Sequence, residues 1–101
     1  MTNELNWKSV TEETSKILSD YIKINTTNPP GDERRAAEFL AGILRKEGFE
    51  PEVLHFNDKR SNLVCRLKGN GSKKPLLLLS HMDVVGAIAG DWKVDPFSEG
   101  P

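Results

Sequence analysis

His81 and Asp83 stand two residues apart directly after Leu76-Leu77-Leu78-Leu79-Ser80, and of all residues in the chain they are best suited to do chemistry. An imidazole can ligate a metal ion or move a proton. A nearby carboxylate can accept the free ring N–H of that imidazole, which fixes its tautomer and raises its basicity. In extended backbone, residues i and i+2 point to the same side. The pair therefore projects together, roughly 7 Å apart at the backbone for a rise of ~3.3 Å per residue. His-x-Asp is also a three-residue pattern that arises often by chance. Spacing alone leaves two readings open: a metal ligand with its orienting carboxylate, or a structural hydrogen-bonded pair.

The elements that must position this pair can be read backwards from it. Four consecutive leucines after Pro75, with turn residues in front, form a short and uniformly apolar run. Such a run reads as a strand buried on both faces. Covering both faces takes helices, which predicts an α/β layered fold, and in open α/β sheets ligands bind at the C-terminal ends of the strands. The helices come first in the chain. Ser9 and Glu12 have the form of a capping box, and Val10, Ile17, Leu18, Tyr21 and Ile22 recur at helical spacing behind it. Residues 25–31 (Asn-Thr-Thr-Asn-Pro-Pro-Gly) predict a loop, since each proline lacks an amide and biases its predecessor away from the α region. Asp32 can cap a second helix with an apolar face of Ala36, Phe39, Leu40, Ile43 and Leu44. Gly48 stands where a left-handed C-terminal cap is wanted. The period then changes. Residues 50–56 and 62–68 read as strands, the second alternating Leu63, Cys65 and Leu67 with Val64, Arg66 and Lys68. Gly69-Asn70-Gly71-Ser72 reads as a turn.

Composition removes several function classes. The chain has 101 residues, suited to one domain, with 14 basic against 15 acidic side chains and a net charge of −1. That balance carries no electrostatic footprint for nucleic acid or an anionic membrane. The apolar runs at 75–79 and 82–89 are too short and too polar together to span a bilayer, and the N-terminus lacks the basic and apolar regions of a signal peptide. Cys65 is the single cysteine, so an intrachain disulfide is excluded. A cytoplasmic protein is expected.

Ser80-His81-Met82-Asp83-Val84-Val85, followed by Trp92-Lys93-Val94-Asp95-Pro96-Phe97-Ser98, resembles the first signature block of the zinc-dependent aminoacylase and carboxypeptidase family. Its members include acetylornithine deacetylase, succinyl-diaminopimelate desuccinylase, aminoacylase and glutamate carboxypeptidases. Asn28-Pro29-Pro30-Gly31 before a helix, and Ser61-Asn62-Leu63-Val64 entering a strand, resemble the lead-in to the same block. The resemblance implies that His81 is a ligand to one of two co-catalytic zinc ions and that Asp83 is the catalytic carboxylate orienting its ring. It implies hydrolysis of the amide bond of an N-acyl amino acid or small peptide by metal-activated water. One histidine and one carboxylate also admit cobalt or manganese.

The same resemblance places the bridging aspartate, the general-base glutamate and the remaining ligands downstream of this block. Residues 1–101 are accordingly expected to be the N-terminal portion of the catalytic domain, without its remainder or the dimerisation domain. The expected fold is an incomplete α/β one, two helices then three strands of a mixed, helix-covered sheet. The chain alone is expected to be inactive, and the full-length protein to be a homodimer with no nucleic-acid or membrane partner. Glu99 stands between a serine and a glycine that adjoin in the family.

Other residues read more plainly. His55, beside Phe56, is expected to be an edge or surface histidine. Asp91 and Asp95 carry carboxylates, but Asp95 precedes Pro96, and Trp92 with Phe97 reads as a packing anchor. Cys65 reads as an inert strand thiol. Asp32-Glu33-Arg34-Arg35 reads as a solvated helix start with capping charge, and the Gly69 turn lacks the pattern of a phosphate loop. The reading opposed to an enzyme is a free-standing α/β binding or interaction module in which His81 and Asp83 are a structural pair.

Overall fold

The computed structural model describes residues 4–98. Its elements are helix α1 (Trp7–Ile22), helix α2 (Glu33–Lys46), strands β1 (Glu52–His55) and β2 (Ser61–Val64), and a 3-10 turn at Ala89–Asp91. The described residues fall into two compact units, one of residues 4–25 with 87–98, the other Thr26–Gly86. Among them no helix is long and apolar enough to cross a membrane.

In the first unit, α1 begins earlier than the expected capping box. Asn6 is its N-cap, and the Asn6 Oδ1 accepts the Ser9 amide at 3.1 Å. Ser9 thus receives a cap rather than providing one. Val10, Ile17 and Tyr21 are half-buried, and burial raises the Tyr21 pKa above its ordinary value. On the polar side, Lys16 Nζ donates to Asp20 Oδ1 at 2.9 Å. That bond, more than any other influence, holds the Asp20 carboxyl below its usual range.

The second unit is built on α2. Ala36, Ala37 and Ala41 are fully buried, with Phe39, Leu40, Ile43 and Leu44 half-buried around them, so the predicted face is the packed one. Asp32 occupies the N-cap position but makes no capping bond; its carboxylate accepts Arg35 Nε at 3.0 Å instead. The C-terminus ends as the glycine predicts. Gly48 takes φ +88°, its amide donates to Arg45 O at 3.0 Å, and the Phe49 amide reaches Leu44 O at 3.1 Å. These bonds satisfy the last carbonyls of the helix.

β1 and β2 form a two-stranded antiparallel sheet in which Val53 pairs with Leu63 and His55 with Ser61. Val53 and Leu63 are half-buried, and both strands pack against α2. The connecting loop is held by Asn57, whose Oδ1 accepts the amides of Lys59 and Arg60 at 2.9 Å each. Beyond it, Ser72 donates its amide to Asn70 Oδ1 at 2.9 Å and Gly71 takes φ +81°, the expected turn.

Three expectations are corrected. β2 ends at Val64, so Cys65 and Leu67 lie beyond the ladder and are exposed. Leu76–Leu79 form no strand, and each leucine is between 80% and 87% exposed. A strand needs a neighbour along its hydrogen-bonding edge, and no described residue pairs with these leucines. The chain next finds a partner at Val84, which forms a single parallel bridge with Thr27. The fold is α/β, with two helices and two strands where a third strand was expected, and the sheet is antiparallel where a mixed one was expected, because the two strands are neighbours joined by a short loop.

Candidate functional site

The site is assembled by the segment that looked least structured in the sequence, the loop between the helices. Thr26 is buried and donates its hydroxyl to Met82 O at 2.8 Å. The Val84 amide donates to Thr26 O at 3.1 Å, and the Asn28 amide donates to Val84 O at 2.8 Å. The Gly31 amide closes the loop on Thr27 O at 2.8 Å. Residues 82–84 are therefore fixed on both sides of Asp83, at Met82 by the Thr26 hydroxyl and at Val84 by the backbone of Thr26 and Asn28, groups more than 50 residues distant in sequence.

His81 and Asp83 come together as their spacing predicts. His81 Nδ1 lies 3.1 Å from Asp83 Oδ1 and 2.8 Å from the Asp83 carbonyl oxygen. Both neighbours are acceptors, so Nδ1 carries the proton and donates. Among the described residues Nε2 has no hydrogen-bond partner, and the His81 side chain is 84% exposed. The other carboxylate oxygen of Asp83 accepts Asn28 Nδ2 at 2.9 Å and lies 3.9 Å from Arg60 Nη2. The bond from Asn28, with that from His81 behind it, holds the Asp83 carboxyl below its usual range.

Arg60 extends the network inward. Its Nη2 and Nε donate to Glu33 Oε1 and Oε2 at 2.6 and 3.1 Å. Glu33 is buried, the first residue of α2. A bidentate pair of this geometry fixes direction as well as charge, and the Glu33 bond raises the Arg60 pKa. Gly31 makes room for it. A Cβ there would sit 2.9 Å from Glu33 Oε1 and 3.1 Å from the Arg60 guanidinium, and Gly31 takes φ +76°. Glu33, Arg60, Asn62, Ser80, His81 and Asp83 are among the residues lining a cleft of about 370 Å³. One guanidinium faces two carboxylates here, so the fixed charges around the imidazole favour a cation.

Sequence reasoning found His81 and Asp83 and missed Asn28, Glu33 and Arg60. Glu33 was hidden in a charged run that reads as a solvated helix start; it is instead the buried anchor of the network. The available signal was Gly31 after two prolines, a position demanding positive φ and close approach. His55 lies on β1 with its Nδ1 2.7 Å from Ser61 Oγ across the strand pair. Asp95 accepts the Phe97 amide at 2.9 Å in a local turn, and Asp91 closes the 3-10 turn; both belong to the other unit. Trp92 is 56% exposed, so the expected packing anchor is not seated.

No family model and no solved structure matches the chain. Among curated proteins it is 32% identical over 84 residues to aminoacylase-1 of Dictyostelium discoideum, a match covering 81% of this chain and 20% of that protein. It is 40% identical over 84 residues, with the same two coverages, to succinyl-diaminopimelate desuccinylase of Wolbachia pipientis subsp. Culex pipiens. The desuccinylase of Rickettsia canadensis is 35% identical over 78 residues, 74% of this chain and 19% of that protein. The chain spans about a fifth of the length of the curated relatives it matches.

Proposed function

We propose that this chain, which belongs to the family of aminoacylase-1 and succinyl-diaminopimelate desuccinylase, supplies the first metal ligand of a hydrolase acting on the amide bond of an N-acyl amino acid or small peptide. The observation that carries the reading is the His81–Asp83 pair at the edge of the cleft, with Nδ1 held by a carboxylate and Nε2 without a hydrogen-bond partner among the described residues. A metal-bound histidine characteristically has this arrangement, its other nitrogen donating to a carboxylate or carbonyl. A zinc ion, or cobalt or manganese, supplies Lewis acidity that polarises the amide carbonyl and lowers the pKa of water.

The donor set fits one ligand and its orienter, not a whole centre. A catalytic zinc site takes three protein ligands, and among the described residues no group of three His, Cys, Asp or Glu side chains could hold an ion. The other ligands of a two-zinc site and the general base are proposed to lie in the length that the relatives have beyond the match. His81 offers Nε2, Asp83 keeps the proton on Nδ1, and Asn28 donates to the far carboxylate oxygen, which Arg60 faces at 3.9 Å. The proposal includes a cytoplasmic, homodimeric full-length enzyme whose catalytic domain begins with residues 1–101.

Zinc titration followed by calorimetry tests the reading. This chain should bind zinc weakly, lose that binding in His81→Ala, keep it in His55→Ala, and hydrolyse no N-acyl amino acid. Tight stoichiometric binding lost in His81→Ala would show a complete site and contradict the division of ligands. Binding unchanged by His81→Ala would leave the pair a structural one.

A further inference from the structure

We infer that Asn28 and the Glu33–Arg60 ion pair are positioning residues that lock the Asp83 carboxylate in the one rotamer able to hold the His81 ring; this rests on the reading of His81 as a metal ligand. Asp83 could by itself turn its carboxylate to solvent, since its side chain is 28% exposed and its neighbour His81 is largely exposed. Its two oxygens are instead divided between different donors. Oδ1 faces His81 Nδ1 at 3.1 Å, while Oδ2 takes the Asn28 amide at 2.9 Å and faces Arg60 at 3.9 Å. With Oδ2 committed, Oδ1 has one direction left.

Each donor is in turn held from behind. Asn28 is tied by its own backbone amide to Val84 O at 2.8 Å, so its side chain approaches Asp83 from a fixed base. The guanidinium of Arg60 cannot swing away without stranding the buried Glu33 carboxylate, to which it is bonded through two nitrogens. An unpaired buried charge is costly. Gly31 leaves no more space than this pair requires. The Asp83 carbonyl also accepts from His81 Nδ1, at 2.8 Å. That bond fixes the proton but not the carboxylate, so the device sets the second contact and with it the plane of the ring.

The test reads the side chains directly in the metal-free chain. Three-bond couplings to the Asp83 carboxyl carbon should report one rotamer in the wild type and averaging in Asn28→Ala. They should report partial averaging in the double variant Glu33→Met with Arg60→Met. Asn28 is exposed, so Asn28→Ala tests the proposal even if the double variant fails to fold, and replacing both members of the pair avoids leaving one charge buried. Zinc affinity should fall about tenfold in Asn28→Ala, the low end for outer partners of a ligand. A single Asp83 rotamer persisting in Asn28→Ala overturns the inference, as does rotamer averaging in the wild type. If the couplings change as expected but zinc never perturbs His81, the positioning stands and the metal-ligand reading falls.

Discussion

Two stretches of the second unit, both written in the sequence as parts of one strand and its end, behave in opposite ways. Met82–Val84 is fixed by Thr26, Asn28 and Arg60 through hydrogen bonds and an ion-pair contact. Leu76–Leu79, immediately before it, is exposed and pairs with no strand among the described residues. The difference lies in how each kind of interaction is satisfied. A hydrogen bond is directional and needs one partner, which this chain contains. Burial of an apolar strand is non-directional and scales with area, so it takes a neighbouring strand and two covering layers. The polar geometry of the site is thus secured without a strand at Leu76–Leu79.

The sharpest way to break the secured stretch is Gly31→Ala. A β-carbon at φ +76°, pressed on the Glu33–Arg60 pair, should cost about 2 kcal/mol in urea unfolding through backbone strain and displacement of the pair. Thr26→Val keeps the shape but removes the buried donor to Met82 O, and should cost about 1 kcal/mol. Leu77→Ser, at an exposed position, should change stability by less than about 0.5 kcal/mol while reducing self-association in sedimentation, because it puts a polar group in an uncovered apolar run. A loss for Leu77→Ser as large as that for Gly31→Ala would show the leucines buried in solution.

The smallest effect lies outside both stretches. Asp20 has its pKa lowered in the folded chain, first by the hydrogen bond from Lys16. A depressed carboxyl pKa contributes stability above the unfolded value, and that contribution is lost as pH falls through the folded one. Helical circular dichroism between about pH 5 and about pH 2 should therefore fall slightly less in Lys16→Gln than in the wild type, and added salt should narrow the difference.

What was legible in the sequence follows the range of the interactions. Helix α2 with its Gly48 cap, the presence of strands at β1 and β2, the turn at Gly71 and the His81–Asp83 pairing are set within a few residues, by period, cap chemistry or the i, i+2 geometry of extended backbone. Strand ends were less so: β2 was expected to run to Lys68 and stops at Val64, because ladder length is fixed by the partner strand. Glu33 and Arg60, separated by 27 residues, show the limit. A charge in a charged run carries no mark that it will be buried against another.

In the proposed function His81 presents Nε2 to a metal while Asp83 holds Nδ1–H. The ring nitrogen shifts of His81 and His55 during a zinc titration of the wild-type chain measure it most directly. Zinc should displace the Nε2 resonance of His81, leave its Nδ1 protonated and leave His55 unmoved. A shift centred on His81 Nδ1 or on His55, or none at saturating zinc, would contradict it.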